Sequence, residues 1–436
     1  MKHLFFGGVH PADRKELTGR GIPAPAPIPA QVVIPLRQHI GAPCTPLVKP
    51  GDTVGLGQKL GDGEGLCVPV HASVSGLVTA VEPRPHPGGG QVLSVVIEND
   101  YQDTPASALE PHLDLSGLTK EEIVSIIGEA GIVGMGGATF PTDVKTVAGM
   151  GRVDTLIANA CECEPYITAD DALLCTYPEQ VLRGMGVLMA VLEPKRAVLA
   201  VEDNKYEAVG ILKKQMETFP GIELLVLPTR YPQGAEKQLI QAVTGRQVPP
   251  GALPKDVGCA VFNAATFASI YKAVYEGEPV TRRIVTVTGE GVREPKNLIV
   301  RIGTPFSEVI AAAGGLTGDV WKVLSGGPMM GVAQADLAVP VVKGTNAVLC
   351  LSRAQDREGA HPQCIRCAKC VTACPMSLQP LCLYRFEQAG DLTALRRLNL
   401  TDCIECGCCA YVCPGRLPLV ESFRAGKRAV KEENAS

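Results

Sequence analysis

Two runs near the C-terminal end, Cys364-x2-Cys367-x2-Cys370-x3-Cys374-Pro375 and Cys403-x2-Cys406-x2-Cys409-x3-Cys413-Pro414, each place four thiols at the same intervals. Three cysteines spaced by two residues wrap a loop round three corners of a cubane, and the fourth sits on the following helix, where its thiolate reaches the neighbouring site. The intervals therefore predict two [4Fe-4S] clusters with crossed ligand sets, one held by Cys364, Cys367, Cys370 and Cys413 and the other by Cys403, Cys406, Cys409 and Cys374. Paired Cys-x2-Cys units also make tetrahedral zinc sites, but zinc has no need of two identical runs that each close on Cys-Pro. Cys408 adjoins Cys409, yet only Cys409 keeps the intervals. Two such clusters are one-electron carriers side by side, able to relay electrons but not to transform a substrate.

The chain has 17 cysteines, an odd number, and its N-terminus lacks the apolar core of a secretion signal, so a disulfide framework is a poor account of them. Most of the nine outside the two runs read as small buried apolar filler. A formal net charge of -4 without a Lys/Arg cluster interleaved with aromatics argues against a nucleic-acid partner. No apolar run approaches the ~18 residues of a membrane-spanning helix, so a soluble, cytoplasmic chain without a direct membrane span is expected.

The elements that must position these thiols can be read along the chain, which is long enough for roughly three domains of about 150 residues. Residues 1–30 form a Pro-rich extended arm that packs on something else. Short β-type runs over 31–105 predict a small all-β domain. Its phrase Gly51-Asp52-Thr53-Val54-Gly55-Leu56-Gly57-Gln58, followed by Ser75-Gly76-Leu77-Val78, resembles the barrel-sandwich fold of biotinyl and lipoyl carriers. With no lysine between Leu60 and Val81, a rigid docking module is expected rather than a swinging arm. Over 115–278 helical and strand-like segments alternate, which predicts a Rossmann-like α/β domain with a largely parallel sheet. Residues 279–342 suit a β-grasp (SLBB-like) module. After Lys343 a polar stretch leads to a helical dicluster ferredoxin-type domain at 355–425, with helices around LCLYRFEQAG and LTALRRLNL, and a charged, disordered tail at 426–436.

Residues 131 to 145 read GIVGMGGATFPTDVK. Glycines at 131, 134, 136 and 137 could let backbone N–H groups cradle a phosphate, or could simply build turns. The loop follows a segment that reads as a helix, so the dinucleotide fingerprint of a strand-glycine-helix unit does not apply. The residues alone leave the two readings open.

This stretch resembles the FMN- and NADH-binding subunit of respiratory complex I, whose flavin loop reads RGGAGFPTGLKW. Gly136, Gly137, Ala138, Phe140, Pro141, Thr142 and Lys145 align with it in order. Asn159-Ala160-Cys161-Glu162-Cys163-Glu164-Pro165 is similar to that family's NADEGEPG segment, with Cys161 and Cys163 in place of Asp and Gly. Gly234-Ala235-Glu236-Lys237 resembles its GEET segment, and Phe262-Asn263-Ala264-Ala265-Thr266 its NNVET segment. The resemblance implies that Gly134, Gly136, Gly137, Lys145, Asn159, Glu162, Gly234 and Asn263 hold FMN, and that Phe140, Glu164 and Glu236 face NAD(H). Taken singly, Glu162, Glu164 and Glu202 would read as surface or salt-bridged carboxylates at strand ends.

Over its whole length the chain resembles the RnfC family of Rnf-type complexes, the membrane-bound ferredoxin:NAD+ oxidoreductases that couple electron transfer to ion translocation. The phrases that carry this are FGGVHP, IPLRQHIGAP, HASVSG, EPRPHP, EAGIVGMGGATFPT, CECEPYITAD, YPQGAEKQLI, GGPMMG, CIRCAKC and DCIECGCC. The resemblance implies a peripheral subunit on the cytoplasmic face of the membrane, carrying FMN, exchanging hydride with NAD(H), and docking on integral-membrane and ferredoxin-like subunits of the same complex. No catalytic side chain beyond the flavin is implied. The competing expectation is a non-catalytic electron-wiring and scaffold subunit that has lost its flavin. A soluble dehydrogenase acting on an organic substrate is a weaker third reading, since all seven histidines lie outside the α/β region.

Overall fold

The computed structural model describes residues 4–19, 21–355 and 362–435. In the α/β region four parallel strands form a sheet in the spatial order Ile222–Leu227, Arg196–Glu202, Thr155–Ala160, Cys259–Asn263. All but the edge strand Ile222–Leu227 are mostly buried, as expected where both faces of a parallel sheet are covered. Side chains alternate between the faces: Leu156, Ala158, Leu199 and Phe262 pack into one core, while Ile157, Val198, Ala200 and Val261 pack with Leu239 and Ile240 into the other. Helix Pro178–Leu192 closes on helix Ala264–Tyr271 through Gly184, where a Cβ would fall 2.0 Å from the Phe267 carbonyl oxygen.

The chain passes from Thr155–Ala160 outward through two more strands and then returns to the other side with Cys259–Asn263. The strand order thus reverses between these two, and the crevice outside their carboxyl ends is where such sheets place ligands. Helix Lys120–Glu129, started by a reciprocal Thr119–Glu122 capping box, precedes the sheet together with helix Thr142–Gly149. The glycine-rich loop joins these two helices.

The N-terminal β domain has a four-stranded sheet (Gln31–Pro35, Gln91–Asn99, Gly76–Pro85, Thr53–Val54) and a three-stranded one (Thr45–Pro46, Lys59–Asp62, Val70–His71). Val32, Ile34, Leu60, Val70, Val78 and Ile97 share the core of this domain.

A six-stranded sheet follows, in the order Ala24–Pro25, Lys296–Arg301, Arg282–Thr288, Ala347–Ser352, Val320–Ser325, Val332–Ala333. Two expectations need correction here. The N-terminal arm is not merely an extended connector, since Ala24–Pro25 is the edge strand of this sheet. The boundary at 342 and the polar stretch after Lys343 also fail: Ala347–Ser352 is a wholly buried strand inside the sheet, paired with Arg282–Thr288 and Val320–Ser325. Its apolar run AVLCLS is short and flanked by Gly, Thr and Asn, which hides it from a reading by composition.

The cysteine-rich domain is helical, with short helices Lys369–Ala373, Pro380–Gln388, Leu392–Arg397 and Cys408–Tyr411, and a long one, Leu419–Ala435. Of the charged tail expected to be disordered, residue 436 lies outside the described residues, and residues 426–435 are the second half of that last helix. Leu419, Phe423 and Val430 bury one of its faces in the domain core, and Gly426 meets Leu395 and Leu400.

Candidate cofactor sites

The two cysteine runs surround two separate cavities, each about 370 Å³ with adjoining solvent included. Cys364, Cys367, Cys370 and Cys413 line one, and Cys374, Cys403, Cys406 and Cys409 line the other. The loops repeat in backbone as well as in sequence. Arg366 and Glu405, two residues after the first cysteine of each run, have φ of 58° and 56°; Ala368 and Gly407 follow at 59° and 77°, and Ser377 and Arg416 at 54° and 51°. Such left-handed bends turn successive N–H groups inward, toward negative charge. Arg366 N, Glu405 N and Leu378 N each donate to a cysteine sulfur, Cys364, Cys403 and Cys374, at 3.4 Å.

Burial pushes the Cys403 thiol up to about 11 and raises Cys374 and Cys409 as well. Shielded thiolates of this kind need the positive charge of bound iron, and the inward N–H groups suit sulfur that stays partly negative, so the residues fit cubane clusters. Cys408 is buried with Val9 and Tyr231 and is absent from both cavity walls. A hydrogen bond from its thiol holds Cys406 below the usual thiol range. The fourth cysteine of each run is not on the following helix, as expected. Cys374 caps the C-terminal end of Lys369–Ala373 with extended backbone, Cys413 lies just beyond Cys408–Tyr411, and each lines the cavity of the other run.

At the point where the strand order reverses, Asn159 and Asn263 stand side by side in register. Asn159 donates from Nδ2 to the Gly234 carbonyl at 2.7 Å and accepts from Cys161 N at 3.1 Å. Asn263 caps helix Ala264–Tyr271 by accepting from Ala265 N at 2.9 Å, and donates from Nδ2 to Asp170 Oδ2 at 2.6 Å. Each amide keeps one N–H and one lone pair uncommitted by these bonds.

Gly136 lies beside Asn263, and Gly137, at φ +110°, has nothing within 4 Å of where a Cβ would point. The loop is folded back by bonds from Gly134 N to Phe140 O and from Thr139 N to Gly134 O, leaving Gly136–Ala138 exposed. Lys145 Nζ is 2.5 Å from Glu236 Oε1 and 5.2 Å from the centre of the Phe262 ring. An open glycine loop, a lysine and two half-used amides at one sheet end fit a phosphorylated, polar-ringed group.

Two of the acids already accept bonds from backbone N–H groups. The Glu162 carboxylate accepts from Asp170 N (2.7 Å) and Asp171 N (3.3 Å) at the start of helix Ala169–Thr176. Burial, with the Glu162 charge adding to it, pushes neighbouring Asp170 up to about 7. Glu164 turns toward the loop after Val320–Ser325: its Oε2 accepts from Met329 N at 3.1 Å, and Gly327 is there because a Cβ would fall 2.3 Å from that oxygen. Its Oε1 is buried and has no hydrogen-bond partner among the described residues, and burial pushes the carboxyl up to about 7. Glu202 is salt-bridged and buried, 3.1 Å from Lys205 Nζ.

Some positioning residues gave no signal in the sequence. Lys15, from the arm, donates to the carbonyls of Glu162 (2.9 Å), Glu164 (3.1 Å) and Ile167 and so pins the whole acidic segment. Tyr231 donates from its phenol to the Cys406 carbonyl at 2.7 Å, and Gln238 donates to the Pro375 carbonyl at 3.1 Å. These bonds attach the α/β domain to the cavity lined by Cys374, Cys403, Cys406 and Cys409. The arm completes the joint: Val9 pairs with Tyr231, while Gly8 N donates to the Ala373 carbonyl at 2.9 Å.

Comparison with known proteins agrees with this arrangement. Family models match in sequence order: an RnfC barrel sandwich hybrid domain at residues 3–102, a Nuo51 FMN-binding domain at 127–272, an SLBB domain at 284–333 and a 4Fe-4S dicluster domain at 360–414. A solved NAD+-reducing [NiFe]-hydrogenase shares the fold over 72% of this chain and 63% of its own, with a TM-score of 0.51 and 21% identity. The chain is 43% identical over 406 residues to the RnfC-type member of the proton-translocating ferredoxin:NAD(+) oxidoreductase complex of Clostridium ljungdahlii, covering 92% of this chain and 88% of that one. It is 45% identical over 433 residues to the corresponding member of the Na(+)-translocating ferredoxin:NAD(+) oxidoreductase complex of Acetobacterium woodii, covering 99% of this chain and 98% of that one. With four domain models in order and relatives matched nearly end to end, the chain belongs to the RnfC family of ion-translocating oxidoreductase complexes.

Proposed function

We propose that this chain is the peripheral electron-transfer subunit of a ferredoxin:NAD+ oxidoreductase complex, exchanging hydride between NAD(H) and FMN and single electrons with two [4Fe-4S] clusters. The observation that carries the reading is the bond from Tyr231 to the Cys406 carbonyl, which joins the end of the parallel sheet directly to the wall of a four-cysteine cavity. When bound, FMN supplies the conversion between two-electron and one-electron traffic.

The side chains serve binding and position. In this reading the exposed backbone at Gly134, Gly136 and Gly137 receives the phosphate, with Lys145 as its cation. The Lys145–Glu236 pair is partly exposed, and such pairs contribute only about 0–1 kcal/mol, so Lys145 can turn to a phosphate at little cost. Asn159 and Asn263 use their spare N–H and lone pair on the ring and ribitol, with Gly234 fixing Asn159. Glu162 acts at one remove, by holding Asp170 and its helix. Glu236 and Phe140 face the nicotinamide nucleotide, an acid near a ribose favouring NAD over NADP. Glu164, expected to face NAD(H), lies between the acidic segment and the cluster domain with its carboxyl raised by burial to about 7, so it can take up or release a proton near neutral pH. The crossed cysteine sets hold the clusters.

No helix of the described residues is long and apolar enough to cross a membrane. The membrane path therefore belongs, in this reading, to integral-membrane and ferredoxin-like partner subunits, on which the chain docks from the cytoplasmic face. The test uses the purified full chain, reconstituted anaerobically with iron, sulfide and FMN. It should retain flavin and reduce an artificial one-electron acceptor with NADH. Intact clusters with no flavin retention and no activity would leave the scaffold reading instead.

A further inference from the structure

Three ligand-type side chains that neither cofactor reading uses meet inside the barrel-sandwich domain. His39, Cys44 and Cys67 bring a ring nitrogen and two sulfurs within 4.8 Å of one another. The two Sγ atoms are 3.5 Å apart. Two thiolates bound at about 2.3 Å to one tetrahedral zinc stand roughly 3.8 Å apart, whereas a disulfide would bring them to about 2.05 Å. The separation is therefore that of two ligands round a shared ion. A bare pair of thiols could also rest at this distance, but His39 decides between the two. It is 4% exposed, and among the described residues neither Nδ1 nor Nε2 makes a hydrogen bond of good geometry, although the Ala42 backbone stands near the ring. A buried polar ring without a good partner is destabilising, and a ligand on the ring removes that cost.

The backbone round the cluster is shaped for close approach. Gly41, at φ +132°, lies against Leu66, whose carbonyl oxygen would be 2.0 Å from a Cβ, and Ala42 N donates to the same oxygen at 3.1 Å. At Gly63 a Cβ would come within 3.0 Å of the Cys67 sulfur. Together these glycines allow the loop carrying His39 and Cys44 to close on the loop carrying Cys67. Cys67 is only half-buried, which leaves a route in from solvent. Two residues beyond it, the Pro69 carbonyl accepts from Lys343 Nζ at 2.7 Å, and the same ammonium donates to the Gly131 carbonyl at 2.6 Å. The cluster thus stands at the joint of the barrel-sandwich, flavin and β-grasp domains.

We propose that His39, Cys44 and Cys67 bind one zinc-class divalent cation, which pins the two loops together at this joint. Imidazole and thiolate together select a soft or borderline ion over calcium or magnesium, and three protein ligands leave a fourth position for water.

The test uses the full chain, reconstituted with iron and sulfide, equilibrated with Zn2+ and freed of loosely held metal. It should retain one zinc per chain, with two sulfurs and one nitrogen in the zinc-edge absorption shell. The C44S/C67S variant should lose that equivalent with its iron unchanged. A second measurement needs no variant: Zn2+ should slow alkylation of Cys44 and Cys67 in the parent chain at least tenfold, read by peptide mass spectrometry, and a chelator should restore the rate. Absence of zinc, zinc surviving in C44S/C67S, a four-sulfur shell, or alkylation indifferent to Zn2+ would overturn the proposal.

Discussion

The phenol of Tyr231 donates a 2.7 Å hydrogen bond to the carbonyl oxygen of Cys406, so one residue of the flavin-type domain touches the loop that walls a cluster cavity. Tyr231→Phe removes the donor and leaves a buried carbonyl unsatisfied, which costs about 1–3 kcal/mol. Chemical denaturation should show a loss of that size. Iron content should stay at the parent level, because no cysteine is touched; a loss of iron would show that the bond also shapes the cavity.

The crossed ligand sets make a prediction that an uncrossed arrangement does not share. Combining Cys374→Ser with Cys403→Ser should remove one cluster only, whereas combining Cys374→Ser with Cys364→Ser should damage both. Iron analysis and low-temperature electron paramagnetic resonance of the reduced protein separate these outcomes. The reverse pattern would assign Cys374 to the run in which it stands.

Lys145→Ala should weaken FMN binding about tenfold, equivalent to about 1.4 kcal/mol, with both clusters retained. Flavin fluorescence on titration of the cluster-loaded protein measures it. Equal affinity in mutant and parent would remove Lys145 from the flavin site.

Glu164 carries a pH dependence of definite sign. Burial raises its folded-state value from 4.5 to about 7, so between these values the folded chain keeps a proton that the unfolded chain has lost. Its protonation supports the fold fully below about 4.5, and that contribution is lost as pH rises through about 7. Glu164→Gln should flatten this part of the stability profile, measured as the denaturant midpoint between pH 5 and 8. An unchanged difference between mutant and parent across that range would show that the carboxyl is ionised throughout.

The grouping of eight cysteines round two cavities was legible in sequence because their intervals are set by short-range chain geometry, and the same intervals recur in the left-handed turns at Arg366 and Glu405. The parallel strands were legible for a similar reason, each being a short apolar run between turns. The strand Ala347–Ser352 and the helix beyond Gly426 were not, since each is stabilised by a surface that other parts of the chain supply.

Sequence by itself determined the ligand types, the alternation of helix and strand and the glycine-rich loop, all properties of residues within a few positions of one another. Only the tertiary structure decided that Glu162 caps a helix, that Glu164 turns to Met329, and that His39 meets Cys44 and Cys67. It also decided that an arm lysine, Lys15, and a turn tyrosine, Tyr231, hold the acidic segment and the cluster loop in place. These pairings join residues far apart in the chain, and their partners are chosen by which buried carbonyls and amides remain unpaired once the domains have packed.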